Sequence, residues 1–346
     1  MNEIVNRNWR LASYPVGLIK ESDFEWVKEK SIIELKEGEI LIRNLYLSLD
    51  PSNRNWINPA RAPHYTKPIK IGEVMRGICL GRIEQSRNSK FEKGEIVTGI
   101  FGWQDYTISD GSGVISISLF RSEDVSLTAY LHIFGMIGIT AYFGLLEIGK
   151  PREGETLVIS AAAGSVGSLV GQIGKIKGCR VIGIAGTKEK CNWIKTELGY
   201  DGAINYKTES VDERLRELCP DGVDIYYDNV GGEILDTVLK HINLHARIVI
   251  CGMISLYNVT DKPAGLQNYT QIHRKRALVQ GFNVNDYLKR MTEAFVDLMQ
   301  WFSEGKLKYR EDIIEGLENA PRAINKLFYG SNKGKLLIKI IEESIL

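Results

Sequence analysis

The residues best able to do chemistry together lie between Thr156 and Lys190. An apolar run, TLVIS, leads into Ala161-Ala162-Ala163-Gly164-Ser165-Val166-Gly167, followed by Leu169, Val170, Ile173 and Ile176 at helical spacing. Strand, glycine turn and helix in this order form a phosphate-binding turn of the GxGxxG kind, with Ala162 in place of the first glycine. Gly164 lets the backbone approach a pyrophosphate, and Gly167 lets helix and strand pack closely. Unpaired N–H groups at the start of the helix point at the negative charge. Where such turns serve NAD, an acidic residue about 20 positions on holds the adenosine ribose hydroxyls. Gly186 stands there instead, followed by Thr187, Lys188, Glu189 and Lys190. Lys188 reads as the solvated start of a helix. Lys190 is placed to take a ribose 2′-phosphate, so the expected dinucleotide is NADPH.

Holding such a turn requires parallel strands alternating with helices. From Pro151 onward the runs TLVIS, RVIGIA, GAINY, VDIYYD, RIVICG and ALVQGF alternate with helical segments, among them Ser165–Lys177, Lys188–Leu198 and Gly232–His241. That pattern means βαβ units in a doubly wound parallel sheet. Ligands of such sheets gather beyond the carboxyl ends of the strands. Three further loops fall there: Asn205-Tyr206-Lys207, Asp228 to Gly232, and Cys251 to Asn258. Asn and Gly also suit such corners as plain turn formers. Residues from about 30 to 118 instead alternate with period two between glycine-bearing turns, as a β-rich domain does. After residue 284, Leu288, Met291, Phe295, Leu298 and Phe302 predict a helix stopped by Gly305. A short helix with Pro321 in its first turn follows, closed by Gly330, then a strand, KLLIKI, whose two lysines are expected to face away from its apolar stripe.

The 346 residues suggest two domains, and 44% apolar with 25% charged residues is ordinary for a globular enzyme. Lys and Arg number 44 against 43 Asp and Glu, so no global field attracts nucleic acid or anionic lipid. The basic run His273-Arg274-Lys275-Arg276 reads as a solvated lead-in to a strand. Val125 to Leu146 carries no charge, yet its Ser, Thr, His and Gly content and its lack of flanking cations favour buried helices over a membrane span. Five cysteines with no CxxC pair argue against a disulfide framework or a structural zinc site. The opening MNEIVNRNWR has no secretory pattern, so a cytoplasmic location is expected.

In order along nearly the whole chain, YLSLDPSNR (46–54), GEVMRG (72–77), GWQDY (102–106), GITAYFGLLEIG (138–149), AAAGSVGS (161–168), NYK (205–207), DNVGGE (228–233), ICGMISLYN (250–258) and GSNKGK (330–335) resemble one family. It is the zinc-independent prostaglandin reductase and leukotriene B4 12-hydroxydehydrogenase family of the medium-chain dehydrogenase/reductase superfamily, which includes plant alkenal double-bond reductases. The resemblance implies a Rossmann domain over residues 123–300, with strand order 3-2-1-4-5-6, inserted in a GroES-like β-rich substrate domain made of residues 1–122 and 301–346. It also implies NADPH contacts from Gly164, Ser165, Val166 and Gly167 to the pyrophosphate and from Lys190 to the 2′-phosphate. Tyr206 would lie by the adenosine and Asn229 along the ribose-phosphate path. Cys251, Gly252, Ile254, Ser255, Tyr257, Phe282, Asn283, Val284 and Asn332 would approach the nicotinamide half.

On the substrate side the candidates are Tyr46, Ser52, Arg54, Tyr65 and Trp103, of which Tyr46, Arg54, Tyr65 and Trp103 could equally be core or turn residues of the β-rich domain. Asp50 reads as structural, holding the turn before Pro51. Ser52 stands where the family commonly has an aromatic residue, which puts substrate size in doubt, and Ile137 replaces a proline. Zinc-bearing relatives carry a GHE-type motif where this chain reads Gly72-Glu73-Val74, and His64, His132, His241, His245 and His273 are scattered. His241 and His245, four apart, read as capping a helix end. No metal is expected.

The implied reaction passes a hydride from NADPH to the β-carbon of an enone or enal and a proton to the α-carbon. Charge developing on the carbonyl oxygen wants a preorganised donor. By resemblance that donor is the phenol of Tyr257, the expected catalytic residue. The alternatives are quinone reduction and NADPH binding without catalysis. A small-molecule substrate and a homodimer paired through the edge strand at Ala277–Phe282 are the expected partners.

Overall fold

Period-two alternation in the first third becomes antiparallel pairing in the structure, a computed structural model that describes residues 3–60, 67–118, 120–122 and 124–341. β1 (Glu3–Leu11) pairs with β2 (Phe24–Ile32), and β3 (Ile40–Ser48) with the strand β4 (Ile78–Ser86). The short helix α1 (Ser52–Trp56) follows β3. β5 (Ile96–Ile100) joins β4, β6 (Tyr106–Ser109) joins β3, and β7 (Ile115–Ser116) joins β5, all antiparallel. Leu11, Ile40, Ile42, Leu47, Met75 and Trp103 form the core of this part, each fully buried. Phe24 stacks on Trp103 with ring centroids 5.4 Å apart.

The uncharged run from Val125 breaks into a 3-10 turn, Leu127–Leu131, and a helix, α2 (Met136–Phe143), which continues as a π-helical turn, Gly144–Gly149. Among the described residues no helix is long and apolar enough to cross a membrane. Next come β8 (Thr156–Ile159), α3 (Ser165–Ile176), β9 (Arg180–Ala185), α4 (Lys188–Thr196), β10 (Gly202–Asn205), α5 (Val211–Leu218) and β11 (Val223–Asp228). They are followed by α6 (Gly232–Leu239), β12 (Ile242–Ile250), α7 (Thr270–Arg274), β13 (Leu278–Gly281) and α8 (Met291–Ser303). The six strands are parallel in the order β10-β9-β8-β11-β12-β13. This is the expected doubly wound order. Leu157, Val158 and Ile159 are fully buried, which is why β8 is an unbroken apolar run instead of an alternating one.

The chain then returns with β14 (Glu311–Glu315), α9 (Ala320–Ala323), α10 (Asn325–Tyr329) and β15 (Lys335–Lys339). Gly330, at φ 65°, closes α10 in the left-handed conformation. The antiparallel part is completed as β14-β15-β3-β4-β5-β7, with β6 beside β3. The chain divides into two units: Met1–Leu131, Glu311–Asn332 and Leu336–Leu346 form one, and His132–Arg310 with Lys333–Lys335 the other. Both divisions fall later in the chain than the edges expected at 122 and 300.

Two local expectations need correction. The predicted helix after 284 begins at Met291, and Leu288 lies in a preceding 3-10 turn, Val284–Arg290, where it is 39% exposed. The buried face of α8 is Ala294, Leu298 and Trp301, one step round from the expected stripe. In KLLIKI the first lysine does not face solvent: Lys335 is 1% exposed, as buried as Leu337 two residues on along the same face.

Candidate cofactor-binding site

The site is built in the second unit from the loops at the carboxyl ends of β8, β9, β10, β11 and β12. After β8 the chain turns at Ala161, whose φ of 48° is left-handed. Ala162 then donates its N–H to Ile184 O at 3.0 Å, and Ala162 itself is fully buried, tying the turn to the end of β9. Gly164 caps α3 in an extended conformation. A Cβ on Gly167 would lie 2.4 Å from Ala161 O, so no side chain fits there and the helix rests directly on the turn. The Tyr200 hydroxyl donates to Gly167 O at 2.7 Å and locks that approach from the far side.

At the end of β9, Gly186 faces the ring of Tyr206, whose atoms would come within 3.0–3.2 Å of a Cβ at 186. Tyr206 is 41% exposed, and partial burial raises its pKa. Thr187 caps α4 by accepting the Lys190 N–H at 3.2 Å. That cap fixes the first turn, leaving Lys188 exposed and Lys190 half-buried.

A hydrogen-bonded network holds the next two loops. Asp228 is fully buried and accepts from the Ser160 hydroxyl (2.9 Å), the Tyr226 hydroxyl (2.9 Å), Val230 N–H (2.9 Å) and Gly231 N–H (2.9 Å). Burial outweighs these donors, so its pKa is raised. Asn229 donates its N–H to the Ser160 hydroxyl at 2.9 Å and its side-chain amide to Ser160 O at 2.8 Å. Ser160, Tyr226 and Asp228 in this role were missed by motif reading. The signal was present, as a polar residue ending each of two adjacent buried strands.

The loop after β12 is pinned on the one after β11. Cys251 and Gly252 donate their N–H groups to Asp228 O, Ile254 to Asn229 O and Ser255 to Val230 O, and the Ser255 hydroxyl donates to Val230 O at 2.6 Å. Met253 N–H donates to the Tyr257 phenol oxygen at 3.3 Å, which folds the ring back over its own loop. Burial pushes the Cys251 thiol up to about 12. Phe282 meets Tyr287 edge-on, and Tyr287 stacks on Phe143 at 4.7 Å. Asn283 accepts the Asn285 N–H at 3.0 Å, opening the 3-10 turn that starts at Val284. The turn, Lys190, Tyr206, Asn229, the Cys251–Tyr257 loop and the 282–284 corner thus all line one end of the parallel sheet.

The other candidates lie in the first unit. Asn332 is 7% exposed, just before β15. Tyr46 is 5% exposed within β3, and Ser52 is half-buried at the start of α1. Two substrate candidates are corrected. Trp103 is fully buried in the core against Phe24, and Arg54 is 3% exposed with its guanidinium on Pro15 O (2.9 Å) and Gly17 O (3.2 Å). Both are internal residues that hold the β-rich unit together. Tyr65 lies outside the described residues, as does His64. Asp50 accepts from the Ser48 hydroxyl and its N–H donates to Asn53, so it holds its turn.

Among the described residues no three His, Cys, Asp or Glu side chains are grouped to hold a metal. His241 does not merely cap a helix: its ring pairs with Asp212 at 2.8 Å, and Asp212 is held below the usual carboxylate range by that contact. His245 sits at φ 61° within β12.

Two families match this chain: "N-terminal domain of oxidoreductase" over residues 7–117 and "Zinc-binding dehydrogenase" over residues 165–304. The NADPH-dependent curcumin reductase of Escherichia coli is 42% identical over 97% of this chain and 97% of its own length. Prostaglandin reductase 1 of Bos taurus is 41% identical, covering 96% and 98%. The crystal structure of CurA from Vibrio vulnificus in complex with NADPH superposes with a TM-score of 0.91 at 44% identity, covering 97% and 99%. The chain therefore belongs to the medium-chain dehydrogenase/reductase superfamily, in its zinc-independent reductase family with the prostaglandin, alkenal and curcumin reductases, and is an oxidoreductase.

Proposed function

We propose that this protein reduces the C=C bond of α,β-unsaturated ketones and aldehydes with NADPH. One observation carries the reading: in a chain of this family, the end of β9 presents Gly186 where an NAD-binding acid would stand, covered by Tyr206 and followed by Lys190. A 2′-phosphate meets a cation there and no opposing carboxylate at 186. The turn from Gly164 to Gly167 at the start of α3 would hold the pyrophosphate, with Gly164 shaping it, since its own N–H donates to Ala161 O at 2.8 Å. Tyr206 would cover the adenosine, Asn229 would lie along the ribose-phosphate path, and the Cys251–Tyr257 and 282–284 loops would hold the nicotinamide half.

When bound, NADPH supplies the hydride that the substrate's β-carbon accepts. The residues of the chain position the enone and meet the charge that its carbonyl oxygen develops. Tyr257 donates its O–H to that oxygen, and the α-carbon takes its proton from water. Met253 N–H, donating to the phenol oxygen, keeps the ring in place for this. An activated C=C bond accepts hydride with such a donor alone, so the reading needs no Lewis acid.

The protein works as a homodimer through the exposed edge of β13, where Leu278 and Val279 are 47% and 41% exposed. The five thiols are all free of disulfides, in keeping with the cytoplasm. The test is a panel of enones, enals and quinones with NADPH and NADH in parallel, followed by loss of the reduced-nicotinamide absorbance. Enone turnover with NADPH and little with NADH is expected. Turnover of quinones alone makes it a quinone reductase, and tight NADPH binding with no turnover makes it a binding protein.

A further inference from the structure

Glu189 is the one residue in the first turn of α4 that contradicts a phosphate site. A carboxylate between Lys188 and Lys190 would repel a 2′-phosphate, and a solvent-exposed acid near a ribose is the feature that favours NADH. The structure shows where its charge goes. Arg310 Nη2 lies 2.8 Å from Glu189 Oε1, and Lys333 Nζ lies 3.0 Å from the same oxygen. These two contacts, Arg310 first, hold the Glu189 carboxyl below its usual range.

Neither cation is there by chance of a mobile side chain. Lys308 exchanges two hydrogen bonds with Gln172 of α3, N–H to Oε1 at 2.7 Å and Nε2 to its carbonyl at 2.9 Å, and Gln172 is 3% exposed. That fixes the segment carrying Arg310. The Arg310 guanidinium also lies over the Trp193 ring of α4 at 5.9 Å, which orients it along the helix. Lys333 arrives from the chain's return. Lys335 donates its N–H to Arg310 O at 2.9 Å, and Gly334, at φ 81°, passes so close that a Cβ would sit 2.0 Å from that carbonyl. The two cations are therefore held side by side by backbone contacts, with Glu189 between them.

We infer that Arg310 and Lys333 are specificity-determining residues: they neutralise Glu189 and so make the first turn of α4 selective for a 2′-phosphorylated dinucleotide. The inference rests on the proposed seating of the 2′-phosphate beside Lys190. The two cations act through Glu189, which distinguishes them from residues that touch the phosphate.

The test compares the full chain with Arg310→Met/Lys333→Met, with Glu189→Gln, and with all three changes together. Methionine keeps the apolar stems. Dissociation constants for NADPH and NADH are measured by nicotinamide fluorescence, with thermal melting to confirm folding. Lys333→Met alone, at a half-exposed side chain, keeps the test alive if the double variant does not fold. The double variant is expected to bind NADPH about tenfold more weakly, with NADH changed by less than about twofold, since only the phosphate feels the uncovered charge. Adding Glu189→Gln should restore most of the lost NADPH affinity. An unchanged NADPH to NADH ratio in the folded double variant overturns the inference. So does a loss that Glu189→Gln fails to restore, because the cations would then be holding the phosphate themselves. A wild-type protein that binds NADH as tightly as NADPH sinks the underlying cofactor reading instead.

Discussion

At the scale of single residues, the sharpest consequence concerns Tyr257. Tyr257→Phe keeps the ring but removes the O–H donor, together with the oxygen that accepts from Met253 N–H. Turnover of an enone should fall about 10²- to 10³-fold while the NADPH dissociation constant stays put, read from steady-state rates and fluorescence titration. Equal turnover in the variant would end the catalytic assignment. The cysteines give a second expectation. Burial pushes Cys251 up to about 12 and Cys179 and Cys219 up to about 11, and Cys191 is raised too, so at neutral pH they stay as unreactive thiols. Cys79, fully buried, is raised further. Iodoacetamide at about pH 8 should leave the folded protein unlabelled over an hour that suffices to label the unfolded chain, by intact mass. Rapid labelling of Cys251 in the folded state would contradict the burial argument. Gly167 and Gly186 were legible in the sequence because each is fixed by neighbours close along the chain or by a known turn. Glu189 was not, since the Arg310 that answers it lies 121 residues away.

Elements explain why the loops hold still. Asp228 ends β11 and gathers donors from β8, from its own strand and from the loop that follows, so Asp228→Ala would leave the Ser160 and Tyr226 hydroxyls and two N–H groups without their acceptor. The expected cost is about 1–3 kcal/mol, with a lower melting temperature and weaker NADPH binding together. At α4, Thr187→Ala removes the cap on Lys190 N–H and should cost about 1 kcal/mol. A change in stability with no change in NADPH affinity there would show that Lys190 is placed without the cap. The strands of the parallel sheet were readable because buried strands are unbroken apolar runs. The helix at 291–303 was readable in kind and shifted in face, since Phe134 meets Phe295 tilted and Phe302 edge-on while Trp301 turns inward beside Tyr142. The burial of Lys335 was invisible in the sequence, because a lysine alternating with apolar residues in a strand reads as solvent-facing, whereas here Lys335, Leu336, Leu337 and Ile338 are all buried.

For the whole molecule, the near-zero net charge conceals strong local order, with the cations at Lys190, Arg310 and Lys333 collected around one helix start. The edge of β13 gives a prediction at the same scale. If the protein pairs through this edge as proposed, Val279→Asp should give a monomer in size-exclusion chromatography with light scattering, leaving NADPH binding intact. A wild-type protein that runs as a monomer at all concentrations would remove the proposed pairing. The edges of the two units follow from packing that no motif records: Leu127–Leu131 groups with the β-rich unit, and the chain to Arg310 with the parallel sheet.

β15 lies between β14 and β3, and Leu336, Leu337 and Ile338 are each no more than 1% exposed. During synthesis on the ribosome, the β-rich unit therefore cannot close its sheet until these residues have emerged, whereas the parallel sheet has all six strands once Gly281 is made. The order of emergence is the reverse of the order of closure, and contacts so distant along the chain form slowly. A nascent chain stalled just before Lys335 should carry a protease-resistant parallel-sheet half and a protease-sensitive first half, a state in which β3 presents an open edge to any neighbouring strand.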